Sequence, residues 1–313
     1  MRLATVSVDQ EKRIAVVEDG KAIDLNLACR LYLESKGQPR AKQIADAYVP
    51  PDMIEFLRGG DGSMALAKES VLYVKNANLS GDVLKKVYYE PSRVRWEAPV
   101  QKPQKIICVG LNYREHILEM GREIPKIPVI FAKYPNTIIG PGDPILKPRL
   151  SDCLDHEAEL AFVIGKRGKR HIPEEEAMDY VAGYTIANDV SVRDFQKRTN
   201  EWLQGKTFDA TLPMGPYLVT KESLPDPHQC ELVLTLNGVE RQRSNTKNLV
   251  FTIPYLVSFL SGIMTLEVGD IVCTGTPGGV GQARNPVSWM KHGDVVRVEI
   301  SGLGVLENPI VNE

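Results

Sequence analysis

Asp155-His156-Glu157-Ala158-Glu159-Leu160-Ala161-Phe162-Val163-Ile164-Gly165 carries apolar side chains at Ala158, Leu160, Phe162 and Ile164, every second position. That is the period of a β-strand, and it leaves Glu157, Glu159, Ala161 and Val163 on the opposite face. In a strand, residues two apart point the same way, roughly 7 Å apart along the backbone. In a helix they would diverge. Two like charges on one face of an otherwise apolar strand repel, and burying them is costly unless something positive lies between them. A divalent cation is the simplest such partner. The other reading is the solvated face of an edge strand.

Outward from this stretch, the chain is ordinary in bulk. Its 313 residues suffice for one large or two moderate domains. A hydrophobic content of 43%, a charged content of 25% and a net charge of −2 point to a globular protein. They favour neither nucleic acid nor a membrane surface as a partner. No apolar run reaches the roughly 20 residues of a spanning helix. Met1–Val8 alternates from the start and lacks the apolar core of a signal peptide. Cys29, Cys108, Cys153, Cys230 and Cys273 are odd in number and form no C-x-x-C pair. They read as reduced thiols, so a cytoplasmic protein without a disulfide frame or zinc site is expected.

Residues 1–24 predict a small β-meander, with a turn at Asp19-Gly20. Residues 26–80 predict short helices over Leu27–Leu33, Ile44–Ala47, Met53–Leu57 and Met64–Val74. The Pro-rich segment 98–104 reads as a linker, giving a small α+β domain over 1–99 and a β-rich domain over 100–313. Asn237-Gly238 between two β-rich runs predicts a hairpin, and Pro254–Ser261 a helix closed by Gly262. A Gly-Asp pair precedes strand-like runs at Gly142-Asp143, Gly269-Asp270 and Gly293-Asp294, which suits a β-roll.

Three further features bear on chemistry. Val181–Val190 reads as a strand with Asp189 near its end, a candidate third oxygen ligand. If Arg114–Met120 is helical, His116 and Glu119 share a face. They are then either an incidental surface pair or a general base with the carboxylate that orients it. Thr274-Gly275-Thr276-Pro277-Gly278-Gly279-Val280-Gly281 lacks the spacing of a P-loop or dinucleotide fingerprint. It is either a flexible turn or a backbone cradle for a carboxylate.

These pieces, with Cys108–His116, Ile139–Asp143, Phe195-Gln196 and Gly205-Lys206, occur in one order over roughly residues 100–310. In that order the chain resembles the fumarylacetoacetate hydrolase superfamily. The resemblance implies a mixed β-sheet roll or partial barrel, α+β and β-rich, with a smaller N-terminal domain. It implies Mg²⁺ or Mn²⁺, with Ca²⁺ a further option, between Glu157, Glu159 and Asp189. All-carboxylate ligation independently favours a hard cation over zinc. It also implies that Gln196, Lys206 and Thr276 hold a small α-keto acid, and that His116 and Glu119 form the dyad of a mobile lid. Lys206 would stabilise an enolate. A homodimer is expected on the same grounds.

Fumarylacetoacetases proper carry an extra aspartate ligand on the strand before the lid, where this chain reads Val109-Gly110-Leu111-Asn112. The smaller three-ligand branch is therefore the better match. The leading expectation is metal-dependent C–C hydrolysis of acylpyruvate-like β-diketo acids. Oxaloacetate decarboxylation and keto–enol or hydroxymuconate-type isomerisation are the rivals on the same site. From another class comes a non-catalytic protein in which the cation only staples two strands.

Overall fold

A computed structural model describes residues 1–18 and 20–313. In it Ala158–Ile164 lies inside a sheet. It pairs antiparallel with Val181–Asn188 on one side and Ile271–Cys273 on the other, and all seven of its residues are buried. The edge-strand reading is thereby excluded. Its two faces serve two cores. Leu160, Phe162 and Ile164 belong to one, Ala161 and Val163 to the other. Apolar residues on both faces are what a strand buried on both sides carries.

Among the described residues, twelve strands form the large sheet. Its order runs Tyr88–Tyr89, Lys21–Asp24, Glu11–Glu18, Arg2–Val8, Leu212–Thr220, Val181–Asn188, Ala158–Ile164, Ile271–Cys273, Ile106–Gly110, Val129–Lys133. Arg95–Glu97 pairs beside Arg2–Val8, and Ile138–Ile139 runs parallel to Leu212–Thr220. A five-stranded sheet contains Val239–Asn245, Glu231–Leu236, Val295–Ile300, Gly304–Asn312 and Ile145–Lys147. Its Leu232, Leu234, Val296 and Val298 share the first core with Phe162 and with Leu256 and Leu260 of the helix Ile253–Ile263. In the second core, Phe56 and Leu57 of Met53–Arg58 and Val71 of Gly60–Asn76 join Ala161 and Val163. The fold is the expected sheet-rich α+β type. No barrel closes among the described residues, since Tyr88–Tyr89 and Val129–Lys133 end the large sheet.

Local turn chemistry is as the sequence predicts. Asn237 and Gly238 both take positive φ, 53° and 76°, as a two-residue hairpin of the right twist needs. Each Gly-Asp pair closes a turn in one way. Asp143, Asp270 and Asp294 accept the N–H three residues back, from Gly140, Glu267 and Lys291, at 3.0, 2.7 and 2.9 Å.

One expected helix end needs correction. Ile253–Ile263 runs through Gly262, with Thr252 as its cap, so that glycine does not stop the helix. Gly81–Val87 is a helix that no periodic pattern announces. Within segment 98–104, Ala98 and Val100 are buried, and the large sheet includes strands from both sides of residue 99. Asp19 of the expected Asp19-Gly20 turn lies outside the described residues. Among those residues, no helix is long and apolar enough to cross a membrane.

Candidate active site

The carboxylates gather where two neighbouring strands end. Glu157 directly precedes Ala158–Ile164, Glu159 lies within it, and Asp189 directly follows Val181–Asn188. Ala158 stands opposite Asn188. The Glu157 N–H donates to Asn188 Oδ1 at 2.9 Å, and the Asp189 N–H to the Glu157 carbonyl at 2.9 Å. All three side chains are buried, and each places a carboxylate oxygen within 4.8 Å of the others. An all-oxygen set of this kind fits a hard divalent cation.

The charges around it are uneven. Burial opposes the charge on Glu157, but Arg193 and Lys206 override it and hold the carboxyl well below the usual range. Glu159 goes the other way. Burial, then Cys273, Asp189 and Glu157, push it well above that range, and the Gly275 N–H at 2.7 Å offers the opposing bond. Gly275 can make that bond because its φ is +102° and a Cβ there would come within 2.9 Å of the Val109 carbonyl.

Two buried cations escaped the sequence reading. Arg193 Nη1 contacts Glu157 at 2.6 Å and Gln196 Oε1 at 3.0 Å. Lys133, the last residue of Val129–Lys133, contacts Asp189 Oδ1 at 3.0 Å and donates to the Val190 carbonyl at 3.2 Å. Their signal was indirect, since three buried carboxylates demand cations from somewhere in the chain. Lys133→Met is expected to destabilise the metal-free protein by roughly 3–5 kcal/mol, because it strips a buried carboxylate of one partner. Urea denaturation reads this directly. A loss below about 1 kcal/mol would mean that Lys206 alone compensates Asp189.

Lys206 does lie at the cluster. Its Nζ donates to Glu157 and to Asp189, both at 2.6 Å. Burial works against its charge, but Asp189 and Glu157 hold its pKa above the ordinary lysine value. The preceding Gly205 allows the approach. A Cβ there would come within 2.5 Å of the Gln196 backbone nitrogen. Thr276 is fastened through Gln242, whose amide donates to Thr276 Oγ1 at 2.8 Å and accepts the Ala158 N–H at 3.0 Å.

The helix Arg114–Glu119 brings His116 Nδ1 to 3.4 Å from Glu119. Both oxygens of Glu119 accept the Gly279 N–H, at 3.0 Å each. The Gly-rich loop is thus a backbone cradle for carboxylates at three places, Gly275, Gly279 and Gly281, the last of which receives Asp155. A cavity of about 450 Å³ is lined by His116, Glu157, Glu159, Gln196, Lys206 and Thr276, with Arg193 beside them. Glu119 and Asp189 stand one contact behind it, on His116 and Lys206.

Residues 105–311 match the family described as fumarylacetoacetate (FAA) hydrolase, C-terminal. The chain is 46% identical over 268 residues to oxaloacetate tautomerase fahd2, mitochondrial, of Xenopus laevis, covering 85% of this chain and 80% of that one. It is 41% identical over 300 residues to oxaloacetate tautomerase YisK of Bacillus subtilis, covering 94% of each. A similar solved structure is maleylpyruvate hydrolase from Sphingobium sp. SYK-6 in complex with manganese(II) ion and pyruvate. It has a TM-score of 0.74 and 28% identity, covering 100% of this chain and 99% of that one.

Proposed function

The chain belongs to the fumarylacetoacetate hydrolase family, and on that footing we propose that it interconverts the keto and enol forms of oxaloacetate. Its cofactor on this reading is Mg²⁺ or Mn²⁺, held by Glu157, Glu159 and Asp189. The observation that carries the proposal is a carboxylate-anchored imidazole and a cation-ready carboxylate cluster on one small cavity. The two oxaloacetate tautomerases above support the substrate. The family's enzymes also set aside the non-catalytic alternative.

When bound, the cation supplies Lewis acidity to the 2-oxo group. The chain's own residues do the rest. Nη2 of Arg193 is buried, faces no acceptor and belongs to a cavity-lining residue. It is the donor for a substrate carboxylate, with Gln196 beside it. His116 has Nδ1 committed to Glu119, which leaves Nε2 to remove and return a proton at C3. The Lys206 ammonium stabilises charge that develops on the 2-oxygen. No water attack is needed, and no carbon–carbon bond breaks.

Acylpyruvate hydrolysis, the leading expectation from sequence, becomes the second reading. The maleylpyruvate hydrolase above favours it. Purified protein supplied with Mg²⁺ should accelerate decay of the oxaloacetate enol and leave acetopyruvate near its background rate. The reverse preference would install the hydrolase. Rapid release of pyruvate and CO₂ from oxaloacetate, without faster enol decay, would install the decarboxylase.

A further inference from the structure

Asp155 is fully buried and does not line the cavity, yet its carboxylate is saturated with donors. Oδ1 accepts the N–H of His156 at 2.9 Å and of Gly281 at 2.7 Å. Oδ2 accepts the N–H of Gln282 at 3.1 Å and Nε of Arg193 at 2.8 Å. A carboxylate offers about four lone-pair sites, so none is left over. The donors come from three separate pieces of chain. A Cβ on Gly281 would lie 2.5 Å from Oδ1, so that glycine leaves room for the carboxylate.

The consequence falls on Arg193. Its guanidinium is planar, so two fixed nitrogens determine where the third points. Asp155 takes Nε, while Glu157 and Gln196 take Nη1 at 2.6 and 3.0 Å. Nη2 is left buried and without an acceptor. Burial disfavours the Arg193 charge, but Glu157 and Asp155 outweigh it and hold the guanidinium firmly protonated. The same carboxylate fixes Gly281 and Gln282, just after Gly279, the residue on which Glu119 rests.

We infer that Asp155 is a positioning residue for substrate binding: it aims the free Nη2 of Arg193 at a substrate carboxylate and holds the turn that receives Glu119. The inference rests on the keto-acid reading of the cavity. Asparagine at this position would offer one acceptor oxygen and would present N–H to donors.

The test is a double-mutant cycle over Asp155→Asn and Arg193→Gln at saturating Mg²⁺. The readouts are kcat and KM for enol decay, oxalate affinity by calorimetry, Mg²⁺ affinity without substrate, and Tm. Asp155→Asn should raise KM and the oxalate Kd by about 100-fold, the scale of a group misplaced by about 1 Å. In the Arg193→Gln background it should add less than about 3-fold, because the two side chains act as one unit. Multiplicative effects in the double variant, or an unchanged oxalate Kd in Asp155→Asn, overturn the inference.

If Asp155→Asn does not fold, Arg193→Ala provides a second test. Guanidinium ion, but not methylammonium, should restore oxalate binding saturably, because the Asp155–Glu157–Gln196 cradle fixes a planar fork. Failure of that rescue also overturns the inference. The oxalate measurements stand apart from turnover. Wild type that binds oxalate but leaves enol decay unchanged would sink the tautomerase reading and leave the role of Asp155 to be judged by the cycle.

Discussion

Glu159→Gln is expected to weaken Mg²⁺ and Mn²⁺ binding by at least about 100-fold, at or beyond the upper end of what loss of an outer-shell partner costs a metal site. Metal-dependent turnover should vanish with it. The reason lies in how the carboxylates are compensated. Glu157 has Arg193 and Lys206, and Asp189 has Lys133 and Lys206. Among the described residues, Glu159 has no side-chain cation within ion-pair distance, and its carboxylate accepts the Gly275 N–H. A bound cation therefore contributes most at this carboxylate. Glutamine keeps its size and its bond to Gly275 while removing the carboxyl whose charge burial, Asp189 and Glu157 disfavour. The metal-free variant should thus unfold at a urea concentration no lower than that of wild type. Glu157→Ala and Asp189→Ala should also lose metal affinity, but each strands buried cations and should cost stability. Calorimetry showing wild-type Mg²⁺ and Mn²⁺ affinity in all three variants would dissolve the metal site.

The second large effect concerns the base. His116→Ala should slow tautomerisation by roughly 10²- to 10⁴-fold, the range for loss of a positioned general base. Its Mg²⁺ and oxalate affinities should stay close to wild type, since neither Glu157 nor Arg193 depends on it for a bond. Glu119→Gln should be milder, about 10-fold, because the imidazole remains and only its anchor changes. Decarboxylation of oxaloacetate does not need a base at C3 in the same step. Whatever background decarboxylation the loaded protein shows should therefore fall much less in His116→Ala. Equal losses in both reactions would make His116 a substrate-positioning group.

What could be read from the sequence was local. Alternation from Ala158 to Ile164 was enough for a strand, and a strand forces Glu157 and Glu159 onto one face. It could not tell an edge from an interior position, because Ala161 and Val163 suit either. Asn237-Gly238 and the three Gly-Asp turns were legible because their chemistry lies within four residues. The antiparallel register of Arg2–Val8 against Leu212–Thr220 was not, since that pairing joins segments distant in sequence and depends on tertiary packing. The same limit explains the site. Glu157, Glu159 and Asp189 stood out as acids on or beside apolar strands. Lys133 and Arg193 looked like ordinary cations until the fold set them on those acids. Asp155 was hidden for another reason. Its donors are mostly backbone N–H groups, and such groups leave no mark in a sequence.

The most direct test of the central claim is proton exchange at C3 of oxaloacetate in D₂O, followed by NMR with Mg²⁺-loaded wild type. Keto–enol interconversion through His116 must exchange those protons with solvent faster than buffer and metal alone. The account predicts protein-dependent exchange that chelation of the metal abolishes and His116→Ala nearly abolishes, with no matching production of pyruvate. Exchange at the buffer rate, while the same sample cleaves an acylpyruvate, would contradict it.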